Sequence, residues 1–276
     1  MEKQARGITD FGLKYIAMAL MLLDHIHYFF AFTGVIPVWF SMLGRLSAPL
    51  FLFCLMEGFA HTHSRKRYFC SIYGIAIGMG LFQFACQYFG FARPDGFYPQ
   101  NQMLSTFAIL LVILQGIDWC AKKQWLCGIA AILVPLLVPY AAFALTSVVP
   151  ATGFWVALLH YSVFPLHPSI MDGGTMMILQ GILLYVLRRH RKTQAICYAL
   201  SALVFYAVLP MLTIPTLTVS MLFTEAYEWM GGFAAILMLC YNGARGNGSK
   251  KLFYWFYPVH IYVLFALSWG VYLLLH

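Results

Sequence analysis

The sequence predicts an all-α, polytopic membrane helix bundle, and three observations carry that prediction. Of 276 residues, 62% are hydrophobic and only 9% are charged, where an ordinary soluble domain carries about 25% charged residues. The apolar residues arrive in blocks close to the roughly 20 residues that cross a bilayer as a helix. The basic residues are confined to alternate loops between those blocks, which is the distribution expected of cytoplasmic loops. A water-soluble fold is thereby excluded. The formal charge of +8 reads as a topology signal, and no nucleic-acid partner is expected.

The apolar blocks fall at 11–33, 36–61, 69–91, 103–120, 124–147, 172–188, 194–212, 226–242 and 252–275. The first is too long for a cleavable signal and lacks a small-residue cleavage site after it, so it is expected to be a permanent helix. Lys3, Arg6 and Lys14 mark its inner end, and Arg65, Lys66 and Arg67 follow the second block. Lys122 and Lys123 follow the fourth. Arg188, Arg189, Arg191 and Lys192 follow the sixth, and Arg245, Lys250 and Lys251 follow the eighth. The intervening loops hold Arg93 with Asp95, then Glu225 and Glu228. About nine transmembrane helices, with the N-terminus inside and the C-terminus outside, satisfy every basic cluster.

Residues 148–171 are apolar without being cleanly helical: Pro150, Pro165 and Pro168 interrupt them, among Trp155, His160, Tyr161 and His167. A full span here would put the Arg188 cluster outside, so the segment reads as re-entrant or interfacial. No internal repeat or linker divides the chain, so 1–276 is expected to be a single domain. The seven cysteines form no C-x-x-C pair and read as small buried hydrophobes, with no metal site expected.

Ionisable groups at membrane depth are costly and mark function by default. The first block places Asp24, His25 and His27 inside an apolar run; the second carries Arg45 at its middle, then Glu57 and His61; the last carries His260 behind Tyr257 and Pro258. At about 1.5 Å per residue, His25 lies roughly 21 Å from the inner face, Arg45 close to the level of Asp24, and His260 about 12 Å up from the inside. Pro49, four residues after Arg45, frees the Arg45 carbonyl and predicts a kink. Asp24 and Arg45 read either as a neutralising structural pair or as part of a site. His27 is expected to be a hydrogen-bond partner of Asp24, and Glu57 and His61 face each other at i, i+4. His25 points about 100° away from Asp24, and imidazole is the side chain suited to proton transfer near neutral pH. Lys14 and His25, eleven residues apart, share one helix face at about 16 Å separation. That ruler suits an elongated anionic cofactor with phosphates at the inner mouth and its reactive end in the membrane.

Five motifs in order then carry a resemblance: D-H-I, G-R-L-x-x-P-L-F, E-G-F-x-H-T, Y-N-G-x-R-G and Y-P-x-H, with the short run NQMLSTFAILL between them. In these the sequence resembles the TraX family, named for the conjugative protein that acetylates the N-terminal alanine of pilin. The match is good at both ends of the chain and poor in the middle. The family is similar to the envelope sugar O-acetyltransferases and the lysosomal heparan N-acetyltransferase, which take acetyl-CoA from the cytoplasm and use a membrane-embedded histidine. The O-acetyltransferases carry an arginine where this sequence has Lys14, which keeps the charge but not the bidentate fork.

The resemblance implies a multi-pass acyltransferase of the bacterial inner membrane, moving acetyl from acetyl-CoA to an amine or hydroxyl of a peptide or glycan. His25, Asp24, Arg45, His260 and Tyr257 are the expected catalytic residues. Lys14, Arg65, Lys66, Tyr241, Asn242, Arg245 and Lys250 are expected at the cofactor, and Glu57, His61, Asn101 and Thr106 at the acceptor. His25 acts either as general base or as acetylated nucleophile, with Arg45, or Tyr257 and His260, donating to the oxyanion. The rival class is a proton-coupled transporter or flippase, which also uses intramembrane ionisable groups. Such carriers commonly have duplicated halves, which this sequence lacks.

Overall fold

The computed structural model describes residues 7–276, with Lys250 described in its backbone only. Lys3 and Arg6, expected as topology determinants, lie outside the described residues, as does the Lys250 side chain. The described residues are helical throughout their regular structure, with one isolated bridge between Ile8 and Tyr241. Among the described residues, seven helices are long and apolar enough to cross a membrane: Asp10–Thr33, Trp39–His61, Arg65–Phe89, Met103–Ala121, Trp125–Val148, Arg191–Thr213 and Lys251–Leu275. Two shorter apolar helices, Gly174–Val186 and Tyr227–Leu239, stand where the sixth and eighth blocks were expected. At 13 residues each they rise about 20 Å as α-helix, short of a core about 30 Å thick. Residues 148–171 hold α7, Gly153–Ser162, of 10 residues, again too short to cross.

The helix ends are written locally. Helix α1 (Asp10–Phe30) starts where the Thr9 hydroxyl accepts from Gly12 N–H at 3.1 Å, satisfying one orphan donor of the first turn. It runs into a 3-10 turn over Ala31–Thr33 that closes at Gly34, whose φ of 68° is a left-handed conformation that glycine adopts without penalty. Helices α2 (Trp39–Gly44) and α3 (Ser47–His61) make up the second span. The kink expected from Pro49 is a full break at Arg45–Leu46, which leaves Pro49 in the first turn of α3, where its missing N–H is harmless.

The chain clusters into two compact units, Met1–Ala60 with Leu183–Val271 and His61–Ile182 with Tyr272–His276. The first unit contains α1 to α3 and α9 (Arg191–Leu203), a π-helical turn, the short α10 (Leu209–Thr213) and α11 (Met221–Thr224), and a 3-10 helix over Tyr227–Phe233 that runs into α12 (Ala234–Leu239). It also holds most of α13 (Lys250–Leu275). Leu13, Ala17, Phe29, Leu50, Phe53, Met56 and Tyr198 form its core. The second unit packs α4 (Arg65–Phe89), α5 (Met103–Ala121), α6 (Trp125–Val148) and α7, with Phe107, Leu110, Leu111, Ile113 and Leu114 of α5 at its centre. Helix α6 leaves Leu133, Val134, Leu137 and Val138 exposed, as a lipid-facing helix does.

Within the first unit α1 and α13 run side by side in the same direction. Phe253 meets Phe11 and Tyr15, His260 meets His25, and Phe265 meets Phe29.

Candidate active site

The register of α1 against α13 sets the site. His25 Nδ1 lies 2.6 Å from His260 Nε2, a hydrogen bond between two side chains that are each 7% exposed. The ring centroids are 4.8 Å apart and the planes differ by 14°. The nitrogen–nitrogen approach takes up about half of that centroid separation, so the rings meet edge to edge and nearly coplanar, the geometry of a straight hydrogen bond. His260 Nδ1 in turn lies 2.6 Å from the carbonyl oxygen of Phe256, one helical turn earlier. The Phe256 ring lies against that of His260 at 4.5 Å and 13°. Tyr257 is buried with its ring 6.0 Å from His260, and Phe29 closes on His25 edge to face at 6.2 Å.

Counting rise from each helix start placed His25 several ångströms above His260, and the structure corrects this. Helix starts are not a common zero. Asp10 and Phe11 N–H donate to the carbonyls of Ala244 and Arg245 at 2.9 and 3.1 Å, so the loop into α13 is tied to the start of α1. Phe253, in the first turn of α13, accordingly meets Phe11 and Tyr15 in the first two turns of α1.

Asp24 and Arg45 do meet. Arg45 Nη2 donates to Asp24 Oδ1 at 2.5 Å and to Ser41 Oγ at 2.9 Å, while the Ser41 hydroxyl donates to Asp24 at 2.5 Å. Glu228 lies 3.9 Å from Arg45 Nη1, and the Tyr227 ring lies 5.8 Å from the guanidinium carbon. His27 makes no hydrogen bond to Asp24, contrary to expectation: a charged guanidinium from the facing helix is the stronger donor for a carboxylate. The approach of α2 to α1 depends on Gly44, because a Cβ there would collide with the Cβ and Cγ of Asp24. The Arg45 carbonyl released at the helix break faces Gly231, where a Cβ would come to 3.1 Å.

At the N-terminal end of α1, Lys14 turns toward α13 as His25 does, in line with their shared face. Its ammonium binds Asp10 at 2.6 Å and sits 5.3 and 5.7 Å from the rings of Phe11 and Phe253. Arg245 is exposed, stacks over Phe11 at 5.5 Å and has no ion pair among the described residues. Asn242 bonds local backbone: its amide donates to Gly7 O at 3.3 Å and its oxygen accepts from Ala244 N–H at 2.9 Å. The Y-N-G-x-R-G motif thus caps α1 with carbonyls. Glu57 is held by Arg191 at 3.1 Å, and the same guanidinium lies 4.7 and 4.9 Å from the rings of Phe53 and Tyr241.

The remaining expected residues lie in the second unit. Arg65 binds Asp118 at 2.6 Å and Gln115 at 3.0 Å, while Lys66 and His61 are exposed. Thr106 is fully buried, and its hydroxyl accepts from Gly174 N–H at 2.9 Å, capping α8 (Gly174–Val186). Asn101 is half-buried just before α5, beside Gln102, whose N–H donates to Asp172 at 2.7 Å. Sequence reasoning missed Ser41, Arg191 as partner of Glu57, and the Phe256 carbonyl. Ser41 was within reach, four residues before Arg45 and so on its helix face; the other two are tertiary.

A family model described as TraX protein matches residues 11–268. The chain is also 24% identical, over 275 residues covering 93% of it and 94% of the relative, to a protein of Dichelobacter nodosus named "Probable fimbrial assembly protein FimC, serogroup H1". No solved structure matches the chain.

Proposed function

The chain belongs to the TraX family, and from that premise we propose that it is a membrane-embedded acetyltransferase of the bacterial cytoplasmic membrane. Acetyl-CoA is the acetyl donor, and the acceptor is an amine or hydroxyl presented from the outer side. The fimbrial assembly name of the relative supports a peptide of a fimbrial subunit over a glycan. The observation that carries the reading is the buried His25–His260 hydrogen bond at 2.6 Å: a proton-transfer residue held in place, at membrane depth, by a partner from another helix.

His25 is the general base. It takes the proton of the acceptor N–H or O–H as that atom attacks the thioester carbonyl, and it returns the proton to the departing CoA sulfur as the C–S bond breaks. The Arg45 guanidinium is committed to Asp24 and Ser41, so Tyr257, buried beside His260, is the donor assigned to the developing oxyanion. Arg245, with no carboxylate partner among the described residues, supplies positive charge for CoA phosphates at the same end of α1 as Lys14, which is paired with Asp10.

The test is acetyl transfer from radiolabelled acetyl-CoA by purified protein and its His25→Ala variant, with small amines, an N-terminal peptide and glycans as acceptors. Transfer and CoA release by the wild type, reduced roughly 100-fold or more in the variant, is the expected result. Wild-type protein that neither binds CoA nor releases it overturns the reading, and proton-coupled transport in liposomes is then the assay to run.

A further inference from the structure

The two hydrogen bonds of the histidine pair have a direction, and the direction is dictated by their last acceptor. A carbonyl oxygen has lone pairs and no proton, so the proton in the 2.6 Å contact between Phe256 O and His260 Nδ1 belongs to the nitrogen. A neutral imidazole protonated at Nδ1 carries its lone pair on Nε2. That lone pair meets His25 Nδ1 at 2.6 Å, so the proton of the second bond belongs to His25. A neutral His25 protonated at Nδ1 has its lone pair on Nε2.

We propose that His260 is the positioning residue of this site: through the Phe256 carbonyl it holds His25 in the Nδ1–H tautomer and makes Nε2 the basic atom. With His260 neutral the reverse polarity has no terminus, because the carbonyl cannot donate. The near-coplanar rings and the Phe256 ring stacked on His260 at 4.5 Å restrict rotation that would break the chain. The arrangement follows the logic of a base oriented by a third group, with a neutral imidazole where a carboxylate is often found. As His25 Nε2 gains a proton, its Nδ1–H keeps the same acceptor, so no rearrangement accompanies the transfer. His260 is therefore an acceptor toward His25 and not an oxyanion donor. The catalytic consequence rests on the acetyl-transfer reading; the tautomer itself does not.

The experiment uses the full chain in lipid nanodiscs with histidine uniformly labelled with nitrogen-15, and magic-angle-spinning spectra assigned by comparison with His25→Ala. The expected result is an unprotonated nitrogen at His25 Nε2, a protonated Nδ1, and a correlation across the hydrogen bond to His260 Nε2. A His25 ring protonated at Nε2, or one without that correlation, overturns the proposal whether or not the protein transfers acetyl groups. In the activity arm, His260→Gln keeps an acceptor at the position of Nε2 and His260→Leu removes it. The expected outcome is roughly 100-fold loss of kcat in the leucine variant at unchanged KM for acetyl-CoA, and return to within about tenfold of wild type in the glutamine variant. A leucine variant with wild-type kcat also overturns it. Wild-type protein without any acetyl transfer sinks the functional reading alone, and the spectra still decide the tautomer.

Discussion

Breaking the Asp24–Arg45 pair one partner at a time gives unequal costs, because the partners left behind differ. Removing one member of a buried ion pair costs about 3–5 kcal/mol, and here the side chains retain 28% and 17% of their exposure, which lowers the figure. Arg45→Met leaves Asp24 with the Ser41 hydroxyl as its donor and is expected to cost about 2–3 kcal/mol. Asp24→Asn leaves Arg45 with Ser41, with Glu228 at 3.9 Å and with the Tyr227 ring, and is expected to cost about 1–2 kcal/mol. The double variant leaves no buried unpaired charge, since Glu228 is 46% exposed, and is expected to cost about 2 kcal/mol, so the cycle returns a coupling of roughly 2 kcal/mol. Reversible unfolding in bicelles, followed by steric trapping, measures all four corners. Single costs that add to within about 0.5 kcal/mol, or an asparagine variant worse than the methionine one, refute the reasoning.

Two further outcomes follow from local geometry. Gly44→Ala drives a methyl group into Asp24 and is expected to destabilise by about 1–3 kcal/mol, whereas Gly78→Ala on α4 meets nothing within 4 Å and is expected to be neutral or stabilising by up to about 1 kcal/mol; paired thermal unfolding checks both. In the loop after α4, Arg93 grips Asp95 with bonds of 2.9 and 2.7 Å and holds its carboxyl below the usual carboxylate range, helped by the Phe97 N–H. A depressed pKa contributes stability that is complete above the unfolded value of about 3.9 and is lost as pH falls through the folded one. The Tm advantage of wild type over Asp95→Asn is thus expected to be flat near neutral pH and to shrink below about pH 4, and an advantage that persists at lower pH contradicts it.

Much of this is legible in the sequence, for identifiable reasons. Because lipid offers the backbone no hydrogen bonds, apolar blocks had to be helices, and seven long helices with two short ones stand where the nine blocks were read. Residues 148–171 are also set apart from the full spans in the sequence, because a crossing there would put the Arg188 cluster outside, and the α-helix within them is only 10 residues long. The Asp24–Arg45 contact was readable as well. Two opposite charges at one depth have few other ways to be neutralised.

The pairing of His25 with His260 was not readable, although both were singled out. Their contact depends on where α13 starts relative to α1, and that is set by carbonyls of residues 244 and 245 capping the first turn of α1, a long-range bond with no periodic signature. The same holds for Glu57, which has Arg191 across the bundle, and for Asn242, which builds a turn. The sequence by itself determined the solvent this chain lives in, its helices and the list of polar groups too costly to be idle. Only the tertiary structure decided which of them touch, because helix register and loop length, unlike hydropathy, carry no repeating pattern along the chain.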